Sequence, residues 1–399
     1  MRIEDLANDL RIVVGGRTLG MKDVLEAASS SLDAVREAAP ERGVVELPCE
    51  DPVALLGAIE ACWRTGRVPL PSGSAEMPRA ANAPSSDAAL VLATSGSTGT
   101  PKLCAFDFGS IRLSAERIAR NLALTDTDVA AVLSPLHHSY GLVGQLFSAM
   151  AAGAEIVWAR SPFPNEQAAA CARATVISSV AFGLSRLLDA GLEAPRARLI
   201  ASAGGRFPRA LMDRLAARFP NATLVNQYGC TEAGPRLTAC ASTDPEFWNG
   251  SVGRAIEGVR IALEDDGEIL FATETQMRGW VGALVPTGDL GRMTDDGHLY
   301  IDGRKDDVVK VRGAKVSLDA VARAAEALGA TAACAVVTEI EGHDSLVLLY
   351  EGAPGAVSRR ALAGVLSIEA LPERIEQVAS LPRSPNGKID RAKARELSK

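Results

Sequence analysis

The chain has 399 residues, 47% of them hydrophobic and 23% charged; this balance supports a sizeable core and excludes collagen-like, disulfide-scaffold and wholly disordered classes. The formal net charge of -7 argues against a nucleic-acid binder, because phosphate backbones are held by clustered Lys and Arg, although a polyphosphate in a small local cradle stays open. Seven cysteines occur without a C-x-x-C pair and four histidines without H-E-x-x-H, so no disulfide framework, structural zinc site or zinc hydrolase is expected and a reducing cytoplasm fits best.

The first residues, MRIEDLANDL, carry acids where a secretory signal carries basic residues, and no run reaches the roughly 18 apolar residues of a membrane span. Residues 51 to 66, DPVALLGAIEACWRTG, place apolar side chains at helical spacing after an Asp-Pro start and predict a core helix. Pro69 to Asp87, rich in Pro, Ser, Ala and Gly, predicts a surface connection. An apolar run from Ala88 to Ala93 then leads into TSGSTGTPK, Thr94 to Lys102. Beyond it, strand-like runs (Val129 to Ser134, Glu155 to Trp158, Ala197 to Ser202, Thr223 to Gln227) alternate with helical stretches (Ser110 to Ala123, Gly144 to Ala152, Pro208 to Arg218). Alternation of this kind predicts parallel βα units and an α/β fold. From Ser251 the texture changes to short strands, with Asp-Asp-Gly turns at 265 to 267 and 295 to 297. After Arg304 come a charged connector, RKDDVVKVRG, a helix near Asp319 to Leu328, and strands at Ala332 to Thr338 and Ser345 to Tyr350. The expected organisation is a large domain, residues 1–303, with parallel βα units and a β-rich end, followed by a small mobile α+β domain, residues 304–399.

The loop Thr94 to Lys102 combines two glycines, five hydroxyls and a lysine behind an apolar strand, the donors and cation needed to hold a polyphosphate. It is neither a Walker A loop nor a Rossmann fingerprint. A surface linker is the common reading of such a loop taken alone; the preceding strand and the closing Pro-Lys weigh against it. With this loop, the chain resembles the adenylate-forming superfamily of acyl-CoA and aryl-CoA synthetases and adenylation domains. Further matches follow in the family's order: SPLHHSYGL (134 to 142), SAGGRFP (202 to 208), NQYGCTEAGP (226 to 235), SVGRAIEGV (251 to 259), PTGDLG (286 to 291), GRKDDVVKVRGAKV (303 to 316) and PRSPNGKIDR (382 to 391).

The resemblance implies a two-step chemistry in which a carboxylate attacks the α-phosphate of ATP, giving an acyl adenylate and pyrophosphate, and a thiol then displaces AMP. It assigns Thr94, Ser95, Gly96, Ser97, Thr98, Gly99 and Lys102 to the phosphates, Thr231 to the α-phosphate and Glu232 to Mg²⁺. Gly204, Gly205 and Tyr228 would frame the adenine, and Asp289, with Arg304, the ribose. Lys388 would be the catalytic lysine, bridging the attacking carboxylate and the phosphate. His138 is implied as catalytic where the acyl pocket meets the thiol path, and His137, Tyr140, Gly141, Ala203, Gly229, Pro235 and Arg236 as the pocket. Asp306 would be the pivot of the small domain, and Gly313 would border the thiol tunnel. HSYGL and YGCTEAGP are most similar to 4-coumarate and related aryl-CoA ligases, and Leu136-His137-His138 in place of a Phe-Asp disfavours an α-amino acid. The segment before Thr94 is shorter than in the family. The implied acceptor is CoA or the phosphopantetheine arm of an acyl carrier protein. A non-catalytic nucleotide- or acyl-adenylate-binding protein is the competing class, against which the intact Lys102, Glu232, Asp289 and Lys388 argue.

Overall fold

The computed structural model describes all residues except 8, 78, 82–86, 95–101, 162, 281–282, 312–313, 341–342, 385–386 and 399. The chain packs as two compact units, Met1–Ile261 with Phe271–Val285 and Asp296–His298, and Ala262–Leu270 with Pro286–Asp295 and Leu299–Lys399.

The first unit runs β1 (Arg11–Val14), β2 (Arg17–Gly20), α1 (Met21–Ala38), β3 (Val44–Pro48), α2 (Pro52–Arg64), β4 (Val68–Ser72), β5 (Arg79–Ala80), β6 (Leu90–Ala93), β7 (Leu103–Phe106), α3 (Phe108–Asn121) and β8 (Val129–Val132). It continues with α4 (Ser139–Gly141), a π-helical segment (Leu142–Phe147), α5 (Ser148–Ala151), β9 (Glu155–Trp158), α6 (Pro164–Ala170), β10 (Val176–Ser179), α7 (Ala181–Asp189) and β11 (Leu199–Ser202). Then come α8 (Arg209–Arg218), β12 (Thr223–Tyr228), β13 (Thr238–Ala241), α9 (Pro245–Trp248) and β14 (Arg254–Ala255).

Nine of these strands form one sheet in the order β14-β13-β12-β11-β10-β8-β9-β1-β2. The run from β12 to β1 is parallel, and the outer partners β13, β14 and β2 are antiparallel. Strand residues alternate between two apolar clusters. Ala130, Val132, Ile156, Val176, Ala201 and Val225 pack on one face, and Val129, Ala131, Val157, Ile177, Ile200 and Leu224 on the other. Burial on both faces is the signature of a parallel sheet.

The amino ends of three neighbouring strands are tied by Asp128. It accepts from Arg198 Nε at 2.8 Å and Nη2 at 2.6 Å, from Thr175 Oγ1 at 2.7 Å, and from the Thr125 N–H at 2.9 Å. The carboxyl ends are tied by Gln145, whose Oε1 accepts from the N–H groups of Leu133 and Ser134, both at 3.1 Å, while Nε2 donates to Ser134 Oγ and the Ser178 carbonyl.

Two expectations are corrected. The start of the stretch read as a surface connection from Pro69 belongs instead to the buried strand β4 (Val68–Ser72), paired in parallel with β3. It lies at the edge of its small sheet, where Pro69 and Pro71 cost no second ladder. The charged connector RKDDVVKVRG contains the strand β19 (Val308–Val311), which pairs with β20 (Ala314–Ser317), just beyond it, as a hairpin.

A four-stranded sheet follows β14 in the order β15 (Val259–Leu263), β16 (Glu268–Thr273), β17 (Val285–Met293) and β18 (Leu299–Arg304). The second unit then adds β19 and β20, α10 (Leu318–Ala327), β21 (Ala332–Ile340), β22 (His343–Glu351), α11 (Arg359–Leu362), β23 (Arg374–Gln377) and α12 (Arg391–Leu397). Its own core includes Val321, Ala325, Leu346, Leu348 and Leu362. Among the described residues no helix is long and apolar enough to cross a membrane.

Candidate active site

In open parallel sheets the ligand crevice lies beyond the carboxyl ends of the strands, and three sequence motifs leave those ends here. β8 runs into Leu133–Ser139, β11 into Ala203, Gly204 and Gly205, and β12 into Gly229–Glu232. Two glycines are required by close approach. A Cβ on Gly229 would lie 1.9 Å from the Pro235 carbonyl oxygen, and one on Gly141 would lie 2.2 Å from that of Pro135. The chain after β12 is thereby pressed against the segment that carries Arg236. Tyr228 and Ala203 are buried. Thr231 and Glu232 sit in a single 3-10 turn, Thr231–Ala233, and Thr231 Oγ1 lies 3.0 Å from Ser139 Oγ.

The hairpin of β6 and β7 is closed by the Thr94 N–H donating to the Lys102 carbonyl at 2.8 Å and the Lys102 N–H donating to Thr94 Oγ1 at 3.2 Å. Ser95, Gly96, Ser97, Thr98 and Gly99, expected to cradle phosphates, lie outside the described residues between those two ends. Lys102 Nζ is 3.7 Å from Glu232 Oε1, with side-chain exposures of 51% and 22%, and stands 6.0 Å from the Trp280 ring centroid. A solvated pair of this kind stabilises the fold by at most about 1 kcal/mol. Its significance is positional: the lysine of one motif and the acid of another share one spot beside Thr231. Sequence order alone did not join them, and it gave no sign of Trp280.

His137 is half-buried, with Nδ1 3.5 Å from Cys49 Sγ and its ring centroid 4.0 Å from that of His138. Burial, then the neighbouring His138 and Arg160, push its pKa down to about 4, so near neutral pH it is an uncharged packing group. Burial likewise holds the Cys49 thiol up at about 11. His138 immediately precedes α4, and its N–H donates to the Pro135 carbonyl at 3.2 Å.

The pocket residues Tyr140, Pro235 and Arg236 come together. A Cβ on Gly144 would meet Tyr140 Cδ2 at 2.9 Å and Pro235 Cγ at 3.7 Å, and Arg236 Cζ lies 5.4 Å from the Tyr140 ring centroid, within cation–π range. Burial lowers the Arg236 pKa to about 10 against the opposing pull of Tyr140, so the guanidinium keeps its charge at neutral pH. Burial raises that of Tyr140, which keeps the phenol neutral. Gln145, which fixes the start of this loop, was not anticipated; its signal is a lone amide in the apolar run GLVGQLFSAM.

In the second unit, Asp289 and Arg304 are cross-strand neighbours on β17 and β18. Arg304 Nη1 donates to Asp289 Oδ1 at 2.9 Å and to the Thr287 carbonyl at 3.1 Å. The Ser384 N–H donates to the Lys388 carbonyl at 2.8 Å. The Lys388 amine is held below the usual lysine range by lost hydration; the charge of Asp289 opposes this and that of Arg304 adds to it. Lys305 Nζ is fixed between Asp266 at 2.7 Å and Glu268 at 2.6 Å, and Asp306 occupies the turn Lys305–Asp307. Gly313 lies outside the described residues.

Comparison with known proteins finds relatives among the CoA ligases. The chain is 25% identical over 411 residues to 4-coumarate–CoA ligase 3 of Oryza sativa, covering 92% of this chain and 72% of the ligase. It is 26% identical over 329 residues to 2-succinylbenzoate–CoA ligase of Listeria innocua, covering 77% of this chain and 70% of the relative. A probable non-canonical nonribosomal peptide synthetase, CymA of Salinispora arenicola, is 29% identical over 346 residues, 76% of this chain; the chain spans only 4% of that protein. Among solved structures, ATP-bound MatB from Rhodopseudomonas palustris superposes with a TM-score of 0.81 at 18% identity, covering 99% of this chain and 98% of MatB. The anthranilate CoA ligase AuaEII, in complex with anthranoyl-AMP, gives 0.80 at 19% identity, covering 98% of this chain and 95% of AuaEII. These neighbours establish the adenylate-forming fold, and the profile of the AMP-binding enzymes matches residues 13–281, the stretch that carries Lys102, Thr231 and Glu232: the chain belongs to the AMP-binding enzyme family.

Proposed function

We propose that the protein is an AMP-forming acid–thiol ligase that activates an aromatic or fatty carboxylic acid with ATP and passes the acyl group to the phosphopantetheine thiol of CoA or of an acyl carrier protein. The observation that carries this reading is the convergence of Lys102, Glu232 and Thr231 at the carboxyl end of β12. In the first step a carboxylate oxygen bonds to the α-phosphorus while the bond from that phosphorus to the bridging oxygen breaks, and pyrophosphate leaves. In the second, the thiol sulfur bonds to the acyl carbon, the acyl–oxygen bond breaks, AMP departs and the thiol proton goes to solvent.

Two anions meet in the first step, so donors and cations aimed at the phosphate supply the main stabilisation. Thr231 offers a hydroxyl already oriented by Ser139, Lys102 a half-exposed cation, and the loop from Thr94 a set of N–H groups and hydroxyls. Glu232, a partly exposed carboxylate in contact with Lys102, fits Mg²⁺, which binds through one or two carboxylates plus substrate phosphates. When bound there, the ion would offset phosphate charge. Gly204, Gly205 and Tyr228 form the adenine site in this reading, Asp289 and Arg304 hold the ribose, and Lys388 bridges the reacting carboxylate and phosphate. Residues 304–399 act as a mobile domain about Asp306, so that Lys388 is inserted for the first step and withdrawn for the second. His138 borders the thiol path together with Gly313. Cysteines that are all free among the described residues suit a cytoplasmic setting.

Pyrophosphate release across a panel of aromatic and fatty acids, repeated with CoA and with a holo carrier protein, tests the proposal. Acid-dependent release is expected. Its absence with every acid would favour a non-catalytic nucleotide- or acyl-adenylate-binding protein.

A further inference from the structure

The chain beyond β12 buries a positive charge for which the described residues offer no counter-anion. Arg236 is 3% exposed, and its Nε and Nη2 have no hydrogen-bond partner. Tyr140 is close enough to act on its charge, but it is a neutral phenol, and its buried hydroxyl has no partner within 3.5 Å at hydrogen-bond geometry. Gln227, on β12, adds an amide whose oxygen and nitrogen are both buried without partners. By strand alternation Gln227 faces the same side of the sheet as Val225, which packs in the cluster containing Leu142, Val143 and Leu146 of the π-helical segment beside Tyr140.

Native interiors leave very few polar groups unsatisfied, and those that remain call for an explanation. Five unbonded polar atoms on three side chains, a guanidinium among them, are what a receptor for a polar ligand group presents when the ligand is away. Which group follows from geometry. Nε and Nη2 bear the two parallel N–H bonds along one edge of the guanidinium, the edge that grips a carboxylate through two hydrogen bonds at once. A ring hydroxyl would satisfy one of those donors and leave the charge uncompensated, and an unsubstituted ring or alkyl end would satisfy none.

We propose that the acid activated by this protein carries a second carboxylate, received by the Nε–H and Nη2–H edge of Arg236, with the Tyr140 hydroxyl and the Gln227 amide beside it. This deepens the adenylating reading above and rests on it. Dicarboxylic acids, aromatic or aliphatic, are therefore the substrate class, and monoacids of the same length are excluded by the unpaired guanidinium they would leave.

The test compares dicarboxylic acids (the three benzenedicarboxylic acids and straight-chain diacids) with their own monomethyl esters, which keep shape and remove one charge. In pyrophosphate release the best diacid should exceed its ester in kcat/KM by about 100-fold or more. In Arg236→Met that ratio should collapse to within about threefold, with Arg236→Lys between, since lysine keeps the charge and loses the two-bond edge. Melting temperatures are measured on every variant first; if the methionine variant does not fold, Arg236→Lys and Tyr140→Phe carry the same comparison. Esters or monoacids that match the diacids, with a ratio unmoved by the Arg236 variants, would overturn the inference while leaving the adenylating reading intact. No release with any acid would instead sink that reading. Arg236 is then judged by thermal shift alone: diacid stabilisation of the wild type that Arg236→Met loses supports the receptor, and no such stabilisation overturns it too.

Discussion

The hydroxyl oxygens of Ser139 and Thr231 lie 3.0 Å apart, joining the loop that leaves β8 to the turn that leaves β12 across the two strands that separate them in the sheet. Thr231 is thus oriented before any phosphate arrives, the condition under which a donor contributes most to a reaction. Thr231→Val is expected to slow adenylate formation by about 100-fold. Ser139→Ala, which removes only the orienting partner, should cost less than about 10-fold. ATP–pyrophosphate exchange at saturating ATP reads both, and equal losses in the two variants would contradict the assigned order of importance.

Lys388 is expected to serve the first step alone. Lys388→Ala should abolish adenylate formation, whereas conversion of supplied acyl adenylate to thioester should survive. Because lost hydration holds the Lys388 amine below the usual lysine range, the charged form is the one disfavoured. The alkaline fall of the adenylation rate should therefore begin below the ordinary lysine pKa of about 10.4. An alkaline limb that is unchanged in Lys388→Arg would show that another group sets it.

Asp128 gives a pH signature of stability. Burial raises its pKa, but the hydrogen bonds from Arg198, Thr175 and Thr125 outweigh this and lower it from 3.8 to about 2. A carboxylate depressed in the folded state contributes stability above its unfolded pKa and loses that contribution as pH falls toward the folded one. The expected loss is roughly 2 to 3 kcal/mol between about pH 4 and pH 2. Asp128→Asn should lower the melting temperature at pH 7, and the gap from wild type should close in acid. Melting curves across pH 2 to 7 with a constant gap would refute this.

The turn at Asp306 is bounded on one side by Lys305, clamped between Asp266 and Glu268, and on the other by the hairpin of β19 and β20. Rotation between working orientations is therefore expected in a few dihedrals at 305–307. Asp306→Pro fixes φ near -65° and should spare pyrophosphate exchange while suppressing thioester yield. Equal loss or equal retention of both activities on one preparation would count against a pivot at this position.

Much of the parallel sheet could be read from the chain, because β8, β9, β11 and β12 are short apolar runs bounded by breakers and by motif residues. β10, in ATVISSV, was overlooked: its serines dilute the apolar signal, although Ser178 and Ser179 are buried in the sheet. β4 was obscured by two prolines that only an edge position permits. Motif order identified Lys102 and Glu232 separately, yet their meeting at 3.7 Å depends on the hairpin and the turn being folded. Arg236 was placed in the pocket by its motif position; that its Nε and Nη2 are buried without partners is a property of packing, and no local pattern encodes it.

The π-helical segment Leu142–Phe147 makes this stretch sensitive to length as well as to residue type. A π turn holds one more residue than an α turn, so deleting a single residue here would leave a regular helix of nearly the same span. Everything on one side of the deletion would rotate by about 100°, carrying Gln145 away from Leu133, Ser134 and Ser178. The helix would survive, and the clasp on two strand ends beside Tyr140 would be released. A one-residue deletion in 142–147 should therefore be more damaging to substrate handling than most single substitutions in the same six positions.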